Sequence, residues 1–181
     1  MSTHVVRRLS VLAAASAAVF ATAFSCEAST SSISADDLAK SIAQQFKDKT
    51  GEQTGVTCKD SLNATTGQTA TCTATAHGVT ADLKVSFTEK KDDKIYFTWE
   101  IVDSTRKLSA AKAKELLSPG FTEQTGLALT KLDCPGGVIP GQVGKVVDCS
   151  AETGNGVQGT IKITVSSADQ LDVGLEWAWQ S

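Results

Sequence analysis

The chain has 181 residues and a mass of 18.9 kDa, with 41% hydrophobic and 20% charged residues. That balance excludes a disordered chain and a multi-span membrane protein. Lys plus Arg is 17 against 20 Asp plus Glu; without Arg7 and Arg8, which fall in a leader segment, 15 basic residues face 20 acidic ones, a net charge of −5. A mildly acidic surface argues against electrostatic nucleic-acid binding, so no nucleic acid is expected as a partner.

Residues 1–25 read as an export signal of lipoprotein type. Arg7 and Arg8 supply a positive n-region, and Val11 to Phe24 is an uncharged, Ala-rich apolar run. The run is too short for a stable membrane span and fits a secretory h-region. Ala23-Phe24-Ser25-Cys26 resembles a bacterial lipobox, in which Cys26 is acylated and becomes the first residue of the mature chain. Ala21-Thr22-Ala23 offers the rival site, an ordinary A-x-A cleavage that would leave a secreted protein. Cysteine arithmetic favours the lipobox. Four of the five cysteines fall into two matched pairs, and Cys26 is left over. Two or three acyl chains on one Cys make a stable anchor where a single chain is marginal, so the membrane is an expected partner. Residues 26–32 then form a polar tether expected to be flexible.

The remainder is one unit written twice, with a period of about 76 residues. Ile33-Ser34-Ala35 matches Leu108-Ser109-Ala110, Cys58 matches Cys134, Cys72 matches Cys149, and Trp99 matches Trp177. Repeat 1 is placed at residues 33–103 and repeat 2 at 108–181. Each copy reads as a helix followed by four strands. In the first, Ser34 is an N-cap with Asp37 three residues on. Leu38, Ile42 and Phe46 form an apolar stripe, and Gly51 or Gly55 ends the helix. In the second, Ser109 caps, and Ala113, Leu116 and Leu117 supply the apolar face. Ser118-Pro119-Gly120 is expected to break or kink this helix, because proline lacks an N–H.

The strands follow. Weak ones should hold the cysteines near Val56–Cys58 and Thr69–Ala76. Leu83, Val85 and Phe87 alternate with polar residues, as do Ile161, Ile163 and Val165; Ile95, Phe97, Trp99 and Ile101 are matched by Leu171, Val173, Leu175, Trp177 and Trp179. Period-two alternation predicts antiparallel sheets with one buried face. His77-Gly78 and Asn155-Gly156 read as turns with positive φ, and Lys90–Asp93 and Ser166–Asp169 as hairpin connections. The expectation is an α+β protein of two similar subdomains, each one helix on a four-stranded antiparallel sheet. Self-sufficiency of each copy selects Cys58–Cys72 and Cys134–Cys149 as disulfides. Each loop of about 15 residues is worth about 3 kcal/mol in the chain-entropy model.

A capped helix, a Cys, a Gly-containing loop, a second Cys and alternating strands ending in an aromatic resembles the Domain of Unknown Function 4333 family. Cys134-Pro135, Val146-Val147-Asp148-Cys149 and the Gly-Val step after them carry the resemblance best. It implies an exported, envelope-located, paired-Cys fold and no activity. In architecture alone, the tandem also resembles the β-lactamase inhibitory proteins.

Catalytic chemistry finds little support. His77 is the sole histidine beyond the leader and sits in a predicted turn. No Ser-His-Asp set, Cys-His set, CxxC or metal cluster can be assembled, and no cofactor is expected. Asp92, Asp93, Glu100 and Asp103 read as a solvated face rather than an acid pair. Trp99 and Trp177 should be core. Three candidates for binding remain: Trp179, which has no aromatic counterpart in the first copy, and Gly136 and Gly137 in a flexible loop between the paired cysteines. The expected function is a non-catalytic envelope lipoprotein that binds an envelope protein or cell-wall ligand, or is structural. An inhibitor of an exported enzyme, acting through a protruding Gly136–Gly144 loop, is the alternative. A small-molecule or lipid carrier comes behind both.

Overall fold

A computed structural model describes residues 22–24 and 31–180. The leader call therefore falls outside the described residues except at Thr22–Phe24, and Cys26 and the first part of the tether fall outside them altogether. The chain divides into two compact units. Among the described residues, one holds those up to Ala76 and Thr80–Asp103, and the other holds His77–Val79 and those from Ser104 on. The division matches the sequence repeat, apart from the His77-Gly78 turn.

In the first unit the elements are strands β1 (Thr22–Phe24) and β2 (Ser32–Ile33), helix α1 (Ala35–Thr50), then β3 (Gly55–Cys58), β4 (Leu62–Asn63), β5 (Thr69–Ala76), β6 (Val79–Lys91) and β7 (Lys94–Ile101). The strand order is β1-β7-β6-β5-β3, and β2 pairs with β4 apart from that path. The second unit repeats the plan. It has β8 (Lys107–Ser109), α2 (Ala110–Thr125), β9 (Leu129–Asp133), β10 (Val138–Pro140), β11 (Val146–Thr153), β12 (Gln158–Asp169) and β13 (Asp172–Gln180). Its sheet runs β13-β12-β11-β9, and β8 pairs with β10 as β2 pairs with β4. The helix and four-stranded antiparallel meander of the α+β expectation are present in both units.

Both helices use the same devices at their ends. The Ser34 and Ser109 hydroxyls accept from the N–H groups three residues on. At the far ends Thr50 and Thr125 donate to the carbonyls of Phe46 and Phe121, each at 2.8 Å. Gly51 and Gly126 then close the helices at φ 79° and 71°, a left-handed conformation that glycine adopts without Cβ strain.

The core is a stripe of three helix residues against the sheet. Leu38, Ile42 and Phe46 are buried in α1, and Ala113, Leu117 and Phe121 in α2. Leu116, expected on that face, is 49% exposed instead. The buried stripe follows a four-residue step, and Leu116 lies about 100° around the helix from Leu117. Proline does not break α2 either. The helix runs through Pro119 to Thr125, and the Ser118 hydroxyl donates to the Lys114 carbonyl at 2.6 Å.

Three further expectations need correction. Ser32 belongs to β2, so the tether stops short of it. The last hairpin turns at Gln170-Leu171 and not within Ser166–Asp169, with Gln170 at φ 50°. A bulge between Val165 and Ser167 displaces the pairing there, and the first unit has the same irregularity between Phe87 and Glu89. At the other end, His77 and Gly78 both have positive φ, whereas in the Asn155-Gly156 turn only the glycine does. The Asn155 side chain instead accepts from the Thr153 hydroxyl at 2.6 Å.

Candidate functional site

Both predicted disulfides are formed, Cys58–Cys72 and Cys134–Cys149. Cys58 and Cys72 are direct cross-strand partners on β3 and β5, so the bond staples neighbouring strands. Cys72 and Cys149 are fully buried. A pair of disulfides places the chain outside the reducing cytosol.

The loop that carries Gly136 and Gly137 is not a free excursion. Pro135–Gly137 is a turn of 3-10 helix in which the Gly137 N–H donates to the Cys134 carbonyl at 2.9 Å. Both glycines have positive φ and no atom within 4 Å of an added Cβ, so conformation, not close packing, calls for glycine. Beyond them Val138–Pro140 is strand β10, antiparallel to β8. The Gly141 and Gly144 N–H groups then donate to the carbonyls of Arg106 and Val165 at 2.7 and 2.8 Å. The expected flexible loop is thus tied down along most of its length, with Val143, 62% exposed, near its tip.

The tryptophans sit where the helix meets the sheet edge, and each is half-buried rather than sealed in the core. Trp99 stacks on Phe46 at 4.5 Å between ring centroids. Its indole N–H donates to Gln45 Oε1 at 2.7 Å, and the Lys49 ammonium lies 5.6 Å from the ring centroid. In the second unit Phe121 meets two indoles, Trp177 at 5.6 Å and Trp179, edge-on, at 5.3 Å. Trp179 also lies over Gly159, where an added Cβ would stand 2.6 Å from its ring. The candidate binding tryptophan therefore has one flank engaged in packing. Gly159 was missed in the sequence; a glycine in a strand whose neighbour presents tryptophan was the available signal.

The polar candidates do not converge. Asp92 and Asp93 form the two-residue turn before β7, at φ 49° and 58°, and Glu100 stands at its other end, 3.6 Å from Lys84. His77 Nδ1 lies 3.8 Å from Asp172. Among the described residues no group of three or more His, Cys, Asp or Glu is placed to hold a metal ion. None of the described helices is long and apolar enough to cross a membrane. The clearest electrostatic effect is at Asp37. The Ser34 hydroxyl donates to it at 2.7 Å and, with the Lys40 ammonium 3.6 Å away, holds its carboxyl below its ordinary range.

The profile of the domain of unknown function DUF4333 matches the chain twice, over residues 17–92 and 95–170. The chain belongs to this family. Each DUF4333 match contains one helix and one complete Cys pair, and each ends at the hairpin before the last strand of its unit. The tandem of DUF4333 copies is therefore the organising fact of the molecule. No curated protein and no solved structure matches the chain.

Proposed function

We propose that the protein is an exported lipoprotein, anchored through acylated Cys26 at the outer face of the cytoplasmic membrane, where it serves as a non-catalytic binding or structural module. The observation that carries this reading is the cysteine distribution. Each unit closes its own disulfide, and the one cysteine left over stands one residue beyond a charge-free apolar run, after Ser25. Two stapled sheets on a short tether suit presentation of a surface to an envelope protein or cell-wall ligand. Among the described residues the candidate carboxylates are scattered, and the one beside the turn-bound His77, Asp172 at 3.8 Å, is 85% exposed, a surface pair on a turn and not an enclosed acid–base site.

Metabolic labelling with an alkyne fatty acid in the native host tests the anchor. Wild type should take up label and partition with membranes, and Cys26→Ser should lose both. An unlabelled wild-type protein overturns the anchor. In-cell crosslinking with mass spectrometry tests the module, and repeated failure to return a partner removes the protein-binding reading.

A further inference from the structure

We infer that the outer edge of β7 is a strand-docking site, and that in the processed protein its occupant is β7 of a second copy of this chain, paired antiparallel about Phe97. The inference rests on the reading that processing ahead of Cys26 removes Thr22–Phe24.

Strand β7 is bonded on one side to β6, and on the other side, among the described residues, only β1 covers it, in the register Thr22↔Phe97, Ala23↔Tyr96 and Phe24↔Ile95. The pairing demonstrates that this edge accepts an extended antiparallel strand. It also lies wholly upstream of Cys26, so cleavage there strips the edge and leaves a row of unpaired N–H and C=O groups. Folded proteins normally blunt such an edge with charge, glycine, proline or a bulge. The equivalent strand of the other unit does so. β13 carries Gly174 and Glu176 at its centre, and no strand pairs with its outer side among the described residues. From Ile95 to Trp99, β7 has no charge, glycine or proline at all.

The sequence of β7 is complementary to itself when reversed. With a twofold axis at Phe97, Lys94 faces Glu100, Ile95 faces Trp99, and Tyr96 faces Thr98. Directly opposed residues of an antiparallel pair lie on one face, so the Lys94–Glu100 and Tyr96–Thr98 pairs fall on the polar side, and the two symmetry-related Ile95–Trp99 pairs fall on the helix side with Phe97. Moving the axis by one residue to Tyr96 or Thr98 takes Lys94 away from Glu100 and ends the charge match. Backbone hydrogen bonds supply most of the attraction, as in other strand additions, and the two Lys94–Glu100 pairs set the register.

Sedimentation velocity over a range of concentrations tests this. The processed chain, residues 26–181 with Cys26→Ser, should dimerise, and a chain that begins at Phe20 and so retains β1 should dimerise at least tenfold more weakly. Lys94→Glu and Glu100→Lys should each weaken the dimer roughly tenfold by opposing like charges, and the double variant should restore it. Circular dichroism confirms that each variant is folded. A monomer at all concentrations overturns the inference. So does a dimer indifferent to both charge reversals, or a processed chain that stays monomeric while binding a Thr-Ala-Phe peptide. Because the processed chain is expressed directly, its oligomeric state reads the edge even if acylation of Cys26 fails in the host.

Discussion

The two halves of the molecule share a scaffold and differ by compensated exchanges. Where the first unit has Ile101 and Ala81 at the equivalent positions, the second has Trp179 over Gly159. Where Trp99 donates to Gln45, the second unit has Gly120, and the Trp177 ring lies 3.8 Å from where a Cβ on that glycine would stand. Where Ser31 accepts from the Ala64 N–H, Arg106 accepts from the Gly141 N–H at the same 2.7 Å, and the buried Arg106 stem fills the space a Cβ on Gly141 would need. In each exchange the second unit has a side chain at least as large, and a glycine stands where it lands. The backbone and its staples are the inherited part; volume is traded locally, because close-packed interiors do not absorb an extra ring without removing something else.

The comparison can be broken most severely at the helix–sheet junction. Phe46→Ala and Phe121→Ala should each cost about 3–5 kcal/mol in urea unfolding, since both rings are fully buried. Phe121→Ala should disturb tryptophan emission more, having two indoles on its ring against one for Phe46. A large cost in one unit only would mean that the halves do not share a core design.

A finer test is the Gly159 exchange. Gly159→Ala should cost about 1–3 kcal/mol, because the new methyl meets Trp179 and the Gln180 carbonyl at 2.6 Å. Combined with Trp179→Ile, the pair found in the first unit, the part of that cost due to the ring should vanish while the part due to the Gln180 carbonyl stays, a non-additivity that a double-mutant cycle of unfolding free energies reads directly. Additive costs would show that the two sites are not coupled.

The smallest effect separates the helix starts. Asp37 is held below its ordinary pKa, whereas α2 has Lys112 at that position. A depressed carboxyl contributes stability that is present above its unfolded-state pKa and lost as pH falls through its folded-state value. Acid titration of unfolding should show this contribution from α1, and Asp37→Asn should remove it; the group is exposed, so the change will be slight. An unchanged acid limb in Asp37→Asn would show that the Ser34–Asp37 contact is not populated in solution.

Much of the scaffold was legible in the linear pattern. The helix caps, Leu38-Ile42-Phe46 and the strand alternation through Leu83, Val85, Ile161 and Ile163 depend on local periodicity, which a chain displays before it folds. The cysteine pairing was legible for another reason: duplication makes each half a copy of the other, and only one of three pairings respects that. Features that depend on distant partners were not legible. The strand pairs β2–β4 and β8–β10 are only two or three residues long, too short for periodicity to register, and exist because Leu62 and Ile139 find buried sites beneath them. Pro119 stayed within α2 because packing of Leu117 and Phe121 on either side outweighs one lost hydrogen bond. Trp179 showed as an unmatched aromatic, but not that Gly159 lies beneath it.

By itself the sequence determined the duplication, the α+β layering, the staples and the place outside the cytosol, since all of these follow from spacing along one dimension. Tertiary structure alone decided which edges are covered, where the cysteine loop is tied, and which glycine receives which ring. Those outcomes arise when segments remote in sequence compete for the same volume and the same backbone hydrogen bonds, and no local pattern records the result.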